Sequence, residues 1–213
     1  MEAATPIAVM FLASFYLLAA LTLTSFIKIS VVLLILRNAL GLQQVPSGMI
    51  VMALALFLSA FISLPVFTES AKAIADTALD FETVEQLGGL FTLVATPFQN
   101  FVSANVDPEN VSFFVDIANE VWEGSGLTAS QSNFFVQVPA FMVSELARGF
   151  QVGLVLYLPF IAIDLAITTI LMALGMQQVQ PSIISAPFKL LLFIFVDGWQ
   201  KLIEGLLMSY NYA

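Results

Sequence analysis

The sequence predicts an all-α protein of integral membrane type: four long hydrophobic helices arranged as helical hairpins, with an acidic helical insertion between the second and third. Three observations predict it. Of 213 residues, 60% are hydrophobic and only 10% charged, whereas a typical soluble domain is about 25% charged. Charge-free apolar runs recur toward both ends, with a polar stretch between them. Within that polar stretch the apolar residues recur at helical spacing. The chain therefore reads as an N-terminal hydrophobic hairpin (residues 1–67), an acidic helical insertion (68–147) and a C-terminal hydrophobic hairpin (148–213).

No side chain is charged from Ile7 to Ile27, a length that at about 1.5 Å per residue crosses a bilayer core of roughly 30 Å. Met1 Glu2 Ala3 Ala4 lacks the positive start of a secretory signal, and the apolar run is too long for one, so it reads as a retained membrane helix. The helix is expected to continue through Lys28 to Leu36 and to end before Pro46, where Asn38, Gly41 and Pro46 supply breakers. A second hydrophobic helix is expected over Met49–Phe67.

Thr68 to Ala147 holds eleven acidic residues against Lys72 alone, the composition of a solvent-facing insertion. Gly88–Gly89, Asp107–Pro108 and Gly124–Gly126 mark its expected turns. Leu87, Leu90, Phe91, Val94, Phe98, Phe101 and Val102 recur at helical spacing, as do Val111, Phe114, Val115, Ala118 and Trp122, so amphipathic helices are expected, the first kinked at Pro97.

Gly149 to Met176 carries one charge, Asp164, and Ile183 to Met208 forms the last apolar segment. The short polar connection between them, ending at Pro181, makes an antiparallel hairpin. No internal repeat is evident. Arg37 favours a cytoplasmic first connecting loop, which places the N-terminus and the insertion on the periplasmic side.

The chain has no Cys and no His, which removes disulfides, thiolate metal sites, Cys nucleophiles and His-based triads. No cofactor or metal is implied. Net charge is −9, with basic residues scattered singly as Lys28, Arg37, Lys72, Arg148, Lys189 and Lys201. Such a surface repels nucleic acid. Lipid and other hydrophobic subunits are the partners that this composition suits.

Charges inside the apolar segments need counter-groups, since each costs at least about 2.5 kcal/mol at mid-membrane. Asp197 and Lys201 lie four apart, Lys201 and Glu204 three apart, and Glu145 and Arg148 three apart, so local pairs are expected. Folding the C-terminal hairpin about Met176–Gln177 brings Asp164 level with Lys189. Folding the first hairpin about Leu42 offers Lys28 no carboxylate, which leaves either snorkelling to an interface or an acidic residue of a neighbouring subunit.

Two blocks carry a family resemblance. The first is Leu23 Thr24 Ser25 Phe26 with Lys28, followed by Leu36 Arg37 Asn38 Ala39 Leu40 Gly41 Leu42 Gln43 Gln44 Val45 Pro46. The second comprises Ser144 Glu145 Leu146, Phe150 Gln151 Val152 Gly153, Pro159 Phe160 with Asp164, Leu171 to Met176, Pro187 Phe188 Lys189 Leu190, and Val196 Asp197 Gly198 Trp199. Together they resemble the FliP/SctR family of type III secretion export-gate proteins, over almost the whole chain apart from the insertion. The short chain without an N-terminal signal extension is more similar to the injectisome branch than to the flagellar one.

The resemblance implies a non-enzymatic, pore-forming subunit of the type III export gate in the bacterial inner membrane, its assembly projecting toward the periplasm. A homo-oligomer of five copies would join SctS/FliQ-like and SctT/FliR-like subunits around a channel for unfolded substrates. Assembly in that family lifts the nominal membrane helices largely out of the bilayer plane. The family's methionine-rich gasket corresponds here to Gly175, Met176, Gln177, Gln178 and Val179, of which Met176 alone matches a methionine run; an unbranched thioether adapts to varied neighbours. Lys28, Glu145, Arg148, Asp164, Lys189, Asp197 and Lys201 would form ion pairs within or between subunits. Rival readings are a four-helix membrane transporter or channel subunit and an enzyme using an Asp164/Asp197 pair or a Ser25/Lys28 dyad.

Overall fold

The computed structural model describes residues 4–42, 46–76 and 84–212. Among them are eight helices and no strand: α1 (Ala4–Thr22), α2 (Phe26–Ala39), α3 (Gly48–Ala75), α4 (Val84–Asn105), α5 (Pro108–Val121), α6 (Phe134–Ala173), α7 (Pro181–Phe195) and α8 (Gly198–Leu207). The all-helical class is as the sequence predicts. Gln43, Gln44 and Val45 lie outside the described residues.

Helix boundaries differ from expectation in four places, each for a local reason. The first apolar run breaks at Leu23–Ser25. There the Thr24 hydroxyl bonds back to the Ala20 carbonyl at 2.7 Å, meets Ser59 Oγ at 2.8 Å and accepts from the Phe26 amide. A short hydroxyl side chain thus competes with the helical ladder. Helix α3 runs past the expected Phe67 to Ala75 with Pro65 inside it. Gly88 and Gly89, expected at a turn, lie within α4. The last apolar segment is bent by 62° between α7 and α8, where Asp197 takes a left-handed conformation with φ 54°.

Start signals position the other elements. Asp107 caps α5 through its carboxylate, which accepts the Glu109 amide at 3.0 Å, and Pro108 occupies the first turn. Asn133 does the same for α6, accepting the Phe135 amide at 2.9 Å. Helix α6 then continues unbroken for 40 residues. Among the described residues, α3 and α6 are long and apolar enough to cross a membrane; the count rises to four if each bent pair, α1 with α2 and α7 with α8, is one span.

Contacts group these elements into two compact units, each discontinuous in the chain: residues 1–27, 58–146 and 210–213 in one, residues 28–57 and 147–209 in the other. In the first unit an aromatic core forms where Phe15 and Tyr16 of α1 meet Phe91 and Phe98 of α4 and Phe67 of α3. Phe98, Leu90 and Val94 are fully buried there. Ser70 Oγ crosses this core, meeting Tyr16 Oη at 2.9 Å and donating to the Val94 carbonyl at 3.0 Å. A neighbouring cluster packs Val111 and Ala118 of α5 on Val136 and Ala140 of α6.

The second unit packs α2 against α6 through small residues. A Cβ on Gly149 would stand 3.2 Å from Val31, and one on Gly153 only 2.4 Å from Ile35 Cδ1. Glycines one turn apart thus let the two helix backbones approach closely.

Candidate functional site

The second unit contains the hairpin tip that joins α6 to α7. Helix α6 ends in a Schellman motif: the Gly175 amide donates to the Met172 carbonyl at 3.1 Å and the Met176 amide to the Leu171 carbonyl at 2.9 Å. Gly175 has φ 71°, which suits a residue without Cβ. The Val179 amide closes a tight turn on the Met176 carbonyl at 3.2 Å, and Pro181 opens α7. Met176, Gln177 and Gln178 are exposed on this tip and Val179 is half-buried.

Below the tip, three helices meet at one ammonium. Lys189 Nζ of α7 lies 2.6 Å from Asp164 Oδ2 of α6 and donates to the Ala39 carbonyl of α2 at 3.0 Å. Ser185, fully buried one turn before Lys189, donates to Asp164 Oδ1 at 2.6 Å. The Ala39 carbonyl belongs to the last turn of α2, where unpaired carbonyls and the helix dipole favour a cation. Lys189 is buried with 6% of its side chain exposed, against 38% for Asp164. The arrangement therefore satisfies an expensive buried charge with a carboxylate and a helix terminus together. It fixes the α6–α7 hairpin against α2.

The other sequence-selected charges have distinct settings. Lys28 is buried, and its Nζ donates to Ser209 Oγ at 2.8 Å; Ser209 in turn donates to the Leu206 carbonyl. Glu145 is fully buried in the first unit and accepts from the Tyr210 hydroxyl. Arg148 lies in the second unit and is half-buried. Asp197 and Lys201 are exposed. The helical pairing expected of them does not form, because Asp197 is the left-handed N-cap of α8 and meets Lys201 only through its main-chain carbonyl, at 3.1 Å.

Reading the sequence alone missed Ser185, Ser209 and Tyr210, whose roles depend on long-range neighbours. It also missed a repeat that is visible in the sequence. Ala39 Leu40 Gly41 Leu42 Gln43 Gln44 Val45 Pro46 parallels Ala173 Leu174 Gly175 Met176 Gln177 Gln178 Val179 Gln180 Pro181. Both strings end a helix in the same way: Gly41 has φ 75° and its amide donates to Asn38, while the Leu42 amide donates to Arg37. Aligning the chain with itself at the two Ala-Leu-Gly triplets would have found this.

Comparison with known proteins decides the family. The FliP family profile matches residues 7–206. The chain belongs to the FliP family. Among relatives of this FliP-family chain is the probable translocation protein y4yL of Sinorhizobium fredii, 42% identical over 197 residues, 91% of this chain and 88% of that protein. The Yop proteins translocation protein R of Yersinia pestis is 41% identical over 189 residues, 88% of this chain and 87% of that protein. The flagellar biosynthetic protein FliP of Agrobacterium fabrum is 38% identical over 188 residues, 88% of this chain and 76% of that protein. Of these three, the two translocation proteins are the more similar, in accord with the injectisome branch.

Proposed function

We propose that this FliP-family chain is a structural, pore-forming subunit of a type III secretion export gate, and that the Gly175–Val179 tip is its gasket. Copies arranged in a ring, five in the homo-oligomer, present Met176, Gln177 and Gln178 toward the channel axis. SctS/FliQ-like and SctT/FliR-like subunits complete the assembly in the inner membrane, which projects toward the periplasm. Side-chain packing between copies blocks ions until an unfolded substrate spreads the tips, and the chain makes or breaks no covalent bond. Met176 adapts its shape to different neighbours, while Gln177 and Gln178 can hydrogen-bond to the next copy.

One observation carries this reading: a hairpin tip closed by main-chain hydrogen bonds exposes Met176, Gln177 and Gln178 while the Asp164–Lys189 pair anchors the hairpin beneath it. A gasket needs such a combination, with adaptable side chains on a backbone that does not collapse. Replacing Met176, Gln177 and Gln178 together by Ala removes the sealing atoms and leaves the turn geometry in place. The variant complex is expected to assemble normally and to leak ions in planar-bilayer conductance. Wild-type conductance in a fully assembled variant would refute the gasket.

A further inference from the structure

Helix α5 has two apolar faces, and only one of them is used within the described structure. Its inner face, with Val111 and Ala118 buried and Phe114, Val115 and Trp122 beside them, packs on Val136 and Ala140 of α6. On the outside, Phe113 is 55% exposed, Ile117 38% and Val121 71%. Residues four apart on a helix form one continuous stripe. Along one flank of that stripe lie the carboxylates of Glu109, Asp116 and Glu120, all exposed. At 3.6 residues per turn these three share a narrow band immediately beside Phe113 and Ile117. The outer face is therefore an apolar row bordered on one side by an acidic row.

The charge of this face restricts what can cover it. Burial among lipid chains would carry the three carboxylates out of water along with the stripe, and an anionic membrane surface would repel them. A second copy of this chain suits it no better. The whole sequence has six basic residues against fifteen acidic, and the unit holding α5 contains only Lys72 among them. In a ring this face would meet a different surface of the next copy, and that copy's equivalent unit offers one Lys to three carboxylates.

We propose that the outer face of α5 docks a basic amphipathic segment of a different polypeptide. Its apolar row lies along Phe113, Ile117 and Val121, and its Lys or Arg row lies along Glu109, Asp116 and Glu120. Apolar contact supplies the affinity, and the one-sided acidic row fixes the direction and register of the docked segment. This surface belongs to the first unit and the α6–α7 tip to the second, and the proposal uses no residue of the gasket, so it stands or falls independently of it.

The test uses the full chain in the membranes of cells that make the complete secretion complex, with a photoreactive phenylalanine analogue in place of Phe113. The cross-linked peptide is sequenced by mass spectrometry. The expected product joins position 113 to another polypeptide, at a segment in which an apolar row adjoins Lys or Arg. Its yield should fall at least about tenfold in Asp116→Lys/Glu120→Lys and recover when the captured Lys or Arg residues are changed to Glu. Asp116→Asn/Glu120→Gln, a gentler change at exposed sites, should lower the yield in the same direction at unchanged chain abundance. Cross-linking to a second copy of this chain, to lipid, to an uncharged or acidic segment or to no protein overturns the proposal. So does a yield indifferent to both charge variants.

Discussion

Asn105 holds the main chain of Asn211 from both sides: its Oδ1 accepts the Asn211 amide at 2.9 Å, and its Nδ2 donates to the Asn211 carbonyl at 2.8 Å. On either side, Tyr210 and Tyr212 pack their rings against Phe101. The Tyr210 hydroxyl donates to Glu145 and the Tyr212 hydroxyl to the Ile62 carbonyl. Ile62 lies one residue beyond Phe61, whose carbonyl loses its helical donor to Pro65. Three consecutive residues thus clasp α3, α4 and α6 within the first unit.

Asn105→Ala should cost about 2 kcal/mol, because two main-chain groups lose partners at about 1 kcal/mol each. Thermal unfolding in mild detergent measures it, and an unchanged midpoint would show that the clasp contributes nothing. Burial pushes the Tyr212 phenol above its ordinary value of 10.0, favouring the neutral form in the folded chain. The contribution of Tyr212 is therefore complete below that pH and lost as the pH rises through the raised value.

Asp164→Ala leaves the Lys189 ammonium buried without its carboxylate. Breaking such a pair costs about 3–5 kcal/mol, and the partial exposure of Asp164 places the expected loss at the lower end. Asp164→Asn/Lys189→Met should lose less than the sum of the single changes, because neither residue is then a stranded charge. Strictly additive losses would show that the two side chains do not depend on each other.

Gly153→Ala puts a methyl group 2.4 Å from Ile35 Cδ1 and 3.1 Å from Ile35 Cβ. Overpacking of this kind costs about 1–3 kcal/mol. Adding Ile35→Ala should restore part of the loss, and failure to do so would place the strain elsewhere.

Asp197 is the only non-glycine residue at positive φ among the described residues, and its side chain makes no capping bond. Asp197→Gly should therefore raise the stability of the isolated chain by about 1 kcal/mol. A drop instead would mean that the carboxylate stabilises the isolated chain in a way its exposed setting does not show. Secretion assayed in parallel separates stability from assembly.

The local part of this architecture was legible because it depends on neighbours along the chain. Apolar run lengths gave the hydrophobic helices, Asp107–Pro108 gave the start of α5, and the polar connection at Gln177–Pro181 gave the second hairpin. The facing of Asp164 and Lys189 could also be reached, since a hairpin fixes register by counting outward from its turn. Breaks inside apolar runs were harder. Thr24 ends α1 through a hydroxyl that needs Ser59, 35 residues away, as a partner, and Asp197 takes a conformation that its residue type disfavours.

By itself the sequence determined the helical class, the membrane-type hydrophobic segments, the family and the polar connection of the second hairpin, all of which follow from local periodicity, charge spacing and residue order. Only the tertiary structure decided that Lys189 also caps α2, that Ser209 serves Lys28 and that Tyr210 reaches Glu145. Those partners are distant along the chain, and a buried polar group accepts whichever donor or acceptor packing brings within about 3 Å. Apolar residues of similar size carry no signal saying which of them will stand there.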